Sequence, residues 1–71
     1  MMVNKMEIIV NGVTKEFENE ITLAALLKEL SLEGKVMAAA VNMNIIKQDQ
    51  WEDYRLNEGD KLELLDFVGG G

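Results

Sequence analysis

Apolar and polar positions alternate along "MEIIVNGVTKEF". Met6, Ile8 and Val10 share one phase with Glu7 and Ile9 on the other, and Val13, Lys15 and Phe17 alternate with Thr14 and Glu16. Asn11-Gly12 separates the two runs, and both residue types tolerate positive φ, so a β-hairpin is predicted here. The pattern then changes period. In "ITLAALLKELSL", Leu23, Leu26, Leu27 and Leu30 fall at i, i+3, i+4 and i+7, one face of a helix. Thr22 is placed to cap that helix, Ile21 to staple it and Gly34 to help end it.

"KVMAAAVN" is an apolar run of strand length. Its three alanines allow helix, but the flanking valines and the bounding Gly34 and Asn42/Asn44 favour a buried strand. Ile45 and Ile46 follow an asparagine turn as a short strand. "QDQWEDYRLNEGD" has no regular period and predicts a compact loop with a helical turn near Trp51. Glu58-Gly59-Asp60 is a turn, and "KLELLDF" a last strand, with Leu62 and Leu64 on one face and Leu65 and Phe67 on the other. One amphipathic helix needs one sheet face to cover it, so the fold class is α+β in two layers. Met6, Ile8, Val10, Leu62 and Leu64 are expected to face the helix, with two distant segments supplying the central strands.

Composition narrows what such a domain can do. The chain has 71 residues, enough for one core that buries only about 60% of the unfolded surface. Hydrophobic residues make up 48% and charged residues 28%, a globular balance. No proline, serine-rich linker or repeat divides it. Cysteine and histidine are both absent, which removes disulfides, thiolate nucleophiles and imidazole chemistry. A domain this small also has little room for a pocket of the usual ~300–1,000 Å³, so a self-contained enzyme is not expected. Thirteen acidic against seven basic residues give a net charge of −6. That opposes nucleic-acid binding and suits a basic protein partner. No apolar run is long enough to span a membrane, and the N-terminal stretch reads as strand rather than signal peptide, so a cytoplasmic protein is expected.

Four features carry possible chemistry. Glu52, Asp53, Glu58 and Asp60 cluster in sequence, but their spacing matches no calcium loop, and a solvated face or turn capping is favoured. Trp51 and Tyr54 form either a binding platform or an edge of the core, with the core favoured. Leu65 and Phe67 point away from the helix if Leu62 and Leu64 point inwards, and Ile9 shares their phase on the first strand. An apolar group on an open sheet face marks a docking surface, unless a local bulge or loop covers it. The fourth is the C-terminal "VGGG". It is either a frayed end or an arm made thin on purpose, since glycine lacks a Cβ and residues 68–71 extended reach ~13 Å. Composition alone leaves those two open.

The hairpin with "VNG", "TLAALLKEL", "AAAVNMNIIKQDQW", "EGDKLELL" and the terminal "FVGGG" resemble, in order and over essentially the whole chain, the ThiS-type sulfur carriers of thiamine biosynthesis. The resemblance implies a β-grasp, ubiquitin-like fold: a mixed four- to five-stranded sheet with one main helix on one face. Residues 1–67 would form the domain and residues 68–71 a flexible tail. It further implies that a ThiF-like enzyme adenylates the carboxylate of Gly71 with its own ATP and Mg, that a cysteine desulfurase relay converts it to a thiocarboxylate, and that a ThiG-like thiazole synthase takes the sulfur. Gly70 and Gly69 would form the slim arm, and Leu65, Phe67, Val68 and Ile9 the docking surface. The carrier itself would bind no cofactor or metal and would be a monomer when free. A MoaD-like small subunit of molybdopterin synthase, a carrier for another sulfur metabolite and a ubiquitin-like modifier are the alternatives. Two positions depart from the pattern: Met43-Asn44 stands where a turn glycine is common, with Asn44 expected to take the left-handed conformation, and Lys47 where proline is common.

Overall fold

The computed structural model describes residues 5–66. Strand β1 (Lys5–Val10) pairs antiparallel with β2 (Val13–Glu18), and helix α1 (Leu23–Glu29) follows. Then come β3 (Val36–Val41), β4 (Asn44–Ile46), a 3₁₀ turn (Gln48–Gln50) and β5 (Lys61–Asp66). The sheet order is β2-β1-β5-β3-β4. β5 lies in the middle, parallel to β1 and antiparallel to β3. This mixed five-stranded sheet with one helix is the expected β-grasp arrangement.

Period decides burial in each element. Met6, Ile8, Val10 and Leu62 are buried with Leu23, Leu26 and Leu27 of the helix, and Leu64 and Leu30 pack against that core half-buried. β2 lies at the sheet edge, so of its inward set only Phe17 reaches the core while Val13 and Lys15 stay exposed. Asn11 (φ 48°) and Gly12 (φ 86°) both take the left-handed conformation that a two-residue hairpin turn of matching twist requires.

The helix start is held more firmly than one cap provides. The Thr22 hydroxyl accepts from the Ala25 amide (3.1 Å), as the sequence predicts. The Leu23 amide donates to the Tyr54 carbonyl (2.8 Å) and the Ala24 amide to the Trp51 carbonyl (2.9 Å). The loop after the 3₁₀ turn thereby satisfies the donors that any helix leaves free at its first turn. The aromatic pair takes the core reading: Trp51 is buried, Tyr54 half-buried, and the indole N–H donates to the Ile46 carbonyl (2.8 Å).

Two turn assignments need correction. The helix ends not at Gly34 but at Ser31, which takes φ 62°. The Leu32 amide returns to the Leu27 carbonyl (2.8 Å) and the Ser31 amide to that of Lys28 (3.0 Å), a Schellman closure without glycine. Gly34 (φ 79°) serves the next turn, which the Lys35 amide closes onto the Leu32 carbonyl. Likewise Asn42 (φ 51°) and Met43 (φ 72°), not Asn44, occupy the left-handed positions between β3 and β4. A two-residue hairpin turn places both of its central residues there, and Asn44 already belongs to β4.

Asp60 does more than turn a corner. It is buried, its carboxylate accepts from the Asn57 amide (2.8 Å) and from the Asn42 side-chain amide (3.0 Å), and the Asn42 Oδ1 accepts from the Lys61 amide (3.0 Å). These bonds join the β3–β4 turn to the start of β5. Asp60→Ala strands two donors in a part-buried place, so it should destabilise the fold by about 2 kcal/mol. Urea unfolding measures this, and a loss below about 0.5 kcal/mol would show that the clasp is dispensable.

Candidate functional site

The sheet face away from the helix is open, and its character changes across the strands. On the hairpin it is polar: Glu7 lies opposite Glu16 and Lys5 opposite Glu18. Towards β4 it becomes apolar. Strand register places Leu65 opposite Ala38, Glu63 opposite Ala40, and Ala40 opposite Ile45. Ala38 and Ala40 form a low floor between two tall side chains, with Leu65 55% and Ile45 74% exposed. Ala38, Ala40, Ile45, Glu63 and Leu65 line a shallow trough of about 270 Å³. The β3–β5 register shifts between Val36 and Ala38, and Met37 in that bulge is 52% exposed.

This arrangement keeps Leu65 as expected but changes its company. Ile9 does not join it. That residue is half-buried and pairs with Thr14 and with Lys61 at the start of β5, whereas Leu65 lies four residues further on, ~13 Å along the strand. Ile45 shares the trough with Leu65 instead. Phe67, Val68, Gly69, Gly70 and Gly71 lie outside the described residues, as does the proposed boundary between domain and tail. The sequence contained a signal for Ile45. A two-residue turn at Asn42-Met43 sets the register of β4, and the alternation with inward Ile46 then sends Ile45 outwards.

The acidic cluster does not act as a unit. Glu58 accepts from the Glu7 amide (3.0 Å), Asp60 serves the turn, and Glu52 and Asp53 are exposed. Among the described residues no group of three or more histidine, cysteine or acidic side chains converges to hold a metal. Two further concavities of about 220 and 250 Å³ flank the loop around Trp51 and Tyr54. With the trough, all three fall short of the ~300 Å³ at which small-molecule sites begin. Among the described residues no helix is long and apolar enough to cross a membrane. The trough with exposed Leu65 and Ile45 is thus a shallow surface on the last strands of the sheet, close in sequence to the C-terminal segment.

Comparison with known proteins identifies the family. The ThiS family model matches residues 8–71, from the first strand through the terminal glycines. The sulfur carrier protein ThiS of Escherichia coli is 27% identical over 93% of this chain and all of its own length. A thiazole synthase of Paramagnetospirillum magneticum is 35% identical over 93% of this chain, which spans a fifth of that longer protein. The crystal structure of the thiamine biosynthesis protein ThiS from Geobacter metallireducens superposes with a TM-score of 0.77 at 24% identity, covering 93% of this chain and all of that one. The fold and the family match agree: this chain belongs to the ThiS family.

Proposed function

We propose that this protein carries sulfur for the thiazole ring of thiamine on the C-terminal carboxylate of Gly71. The family match that runs through Gly71 is the observation that carries this reading. A carboxylate is ionised at neutral pH and a poor electrophile. A ThiF-like partner joins it to the AMP portion of ATP and releases pyrophosphate, with the partner's Mg²⁺ easing the charge. The outer sulfur of a persulfide on a cysteine desulfurase relay then attacks the acyl carbon and AMP leaves. A second thiol, becoming part of a disulfide with the relay cysteine, cleaves the resulting acyl disulfide and leaves the thiocarboxylate. A ThiG-like synthase accepts that sulfur, and the segment matching this chain inside a thiazole synthase supports the pairing. The carrier supplies an end and a docking face, works in the cytoplasm, and needs no cofactor of its own. Gly69 and Gly70 form the arm.

Incubation with ATP, an adenylating enzyme and a sulfur donor, followed by intact mass measurement, tests the reading. One oxygen replaced by sulfur at Gly71 supports it. An unchanged mass, where the same enzyme converts a control carrier, overturns it, and lysine-linked adducts would point to a modifier instead.

Leu65, Ile45 and Met37, with Phe67 and Val68 next in sequence, form the docking face in this proposal. Leu65 is more than half exposed, so Leu65→Glu should leave the melting temperature within about 2 °C. A charge buried at the centre of an interface should lower kcat/KM for activation roughly tenfold or more. Unchanged kinetics would place the contact elsewhere.

A further inference from the structure

The hairpin turn at Asn11 has a second role that its turn geometry does not require. Glycine would meet the positive φ at this position as readily as asparagine. Yet the Asn11 side chain reaches across to the last strand, where its Oδ1 accepts the Leu64 amide at 2.8 Å. Its own backbone amide donates to the Leu62 carbonyl at 2.9 Å.

Position makes this bond matter. β1 leaves the sheet at Val10, and its last pair with β5 is Val10–Leu62. β5 continues to Asp66 with β3 along its other edge, and that ladder shifts register between Val36 and Ala38, opposite Leu65 and Asp66. The end of β5 is thus held by a bulged ladder on one side. On the side that β1 has vacated, the carboxamide of Asn11 supplies one rung beyond the ladder. The residue it pins precedes Leu65 of the docking face and lies seven positions before Gly71.

We propose that Asn11 is a positioning residue that anchors the root of the C-terminal segment, so that docking face and carboxylate reach a partner in fixed relation. This rests on the sulfur-carrier reading above. A partner that grips both Leu65 and the tail end gains from a root that is ordered before contact. Without the anchor, residues 64–66 must be ordered during docking. The loss then appears in KM, with kcat little changed, because the docked complex restores the strand end.

Asn11→Gly keeps the turn and deletes the acceptor, whereas Asn11→Asp keeps an Oδ acceptor and tolerates positive φ. Gly12→Ala is the control for a strained hairpin. Gly12 has φ +86° and an added Cβ would meet nothing within 4 Å, so that change strains the same turn and leaves the carboxamide in place. Hydrogen exchange on the full chain should show the Leu64 amide opening about fivefold faster in Asn11→Gly, the worth of one net hydrogen bond, with recovery in Asn11→Asp. The KM for activation by the adenylating enzyme should rise about fivefold in Asn11→Gly and recover in Asn11→Asp. Gly12→Ala should lower the melting temperature without moving KM. A Leu64 amide that exchanges alike in all variants overturns the anchor. An unchanged KM in Asn11→Gly, or an equal rise in Gly12→Ala, overturns the positioning role. Wild-type protein that is not activated at all overturns the functional reading instead, a result told apart by its independence of residue 11.

Discussion

Deletion of Gly71 is expected to abolish activation by the adenylating enzyme while leaving the fold untouched. The shortened chain still ends in two glycines and still has a carboxylate, so chemistry at the end is not removed. Reach is. One residue of extended chain spans ~3.3 Å, and a misplacement of even ~1 Å from the reacting atoms can lower a rate about a hundredfold. In the proposed complex, docking at Leu65 fixes where the arm starts, and an arm one residue short cannot bring its carboxylate to the same point without undocking. A loss of at least a hundredfold in kcat/KM is therefore expected. The melting temperature should be unchanged, since Gly71 lies five residues past Asp66, the last described residue of β5. Single-turnover formation of the acyl adenylate, read by pyrophosphate release, measures the effect. Undiminished release from the shortened chain would mean that length does not place the carboxylate, and the sulfur-carrier reading would lose its geometric basis.

Elements with a strong period were legible from residues alone. The hairpin around Asn11-Gly12, the leucine face from Leu23 to Leu27, and the last strand with inward Leu62 all have one side in the core and one in water. A slip of one position in a strand would turn a whole apolar set outwards, so pattern and structure must agree there. Backbone conformation at turns was less legible. Ser31 and Met43 adopt positive φ without being glycine, because a Schellman closure and a two-residue hairpin turn hold them there. Propensity assigned those duties to Gly34 and Asn44. Tertiary contacts outweigh a preference of ~1–2 kcal/mol at a single residue.

The candidate site was legible where it follows strand phase and obscure where it depends on pairing. Leu65 was placed outwards by its alternation with Leu64. Ile9 has the same phase but sits beside Lys61, a fact of the parallel β1–β5 register that no local pattern records. Ile45 needed the register of β4 on β3 and Met37 needed a bulge. Asn11 is the extreme case: its turn role is local and plain, whereas the Leu64 amide it binds is fifty-three residues away. Polar contacts between distant segments leave no period behind, and here one of them holds Leu64 near the end of β5.

Leu26→Ala should remove a large part of the stability of the whole domain. Leu26 is fully buried at the middle of α1, and its side chain belongs to the core shared by the helix, β1, β3 and β5. Truncating such a leucine costs about 2–5 kcal/mol, through lost apolar burial and the cavity left behind. Alanine's better helix propensity returns only a few tenths. A domain of 71 residues has roughly 4–11 kcal/mol in total. The helix cannot absorb the loss by itself, because seven residues are too few to be stable apart from the sheet. Unfolding should therefore remain one cooperative transition, with a melting temperature lower by roughly 10–25 °C. Urea titration should give a reduced midpoint at unchanged slope. Leu30→Ala, at a half-buried helix end, provides the comparison and should cost distinctly less. A loss from Leu26→Ala no larger than from Leu30→Ala would mean that the helix packs on the sheet through another face. Below its lowered melting temperature the folded Leu26→Ala protein should still be activated at the wild-type rate, because the core it weakens lies on the opposite side of the sheet from Leu65 and Ile45.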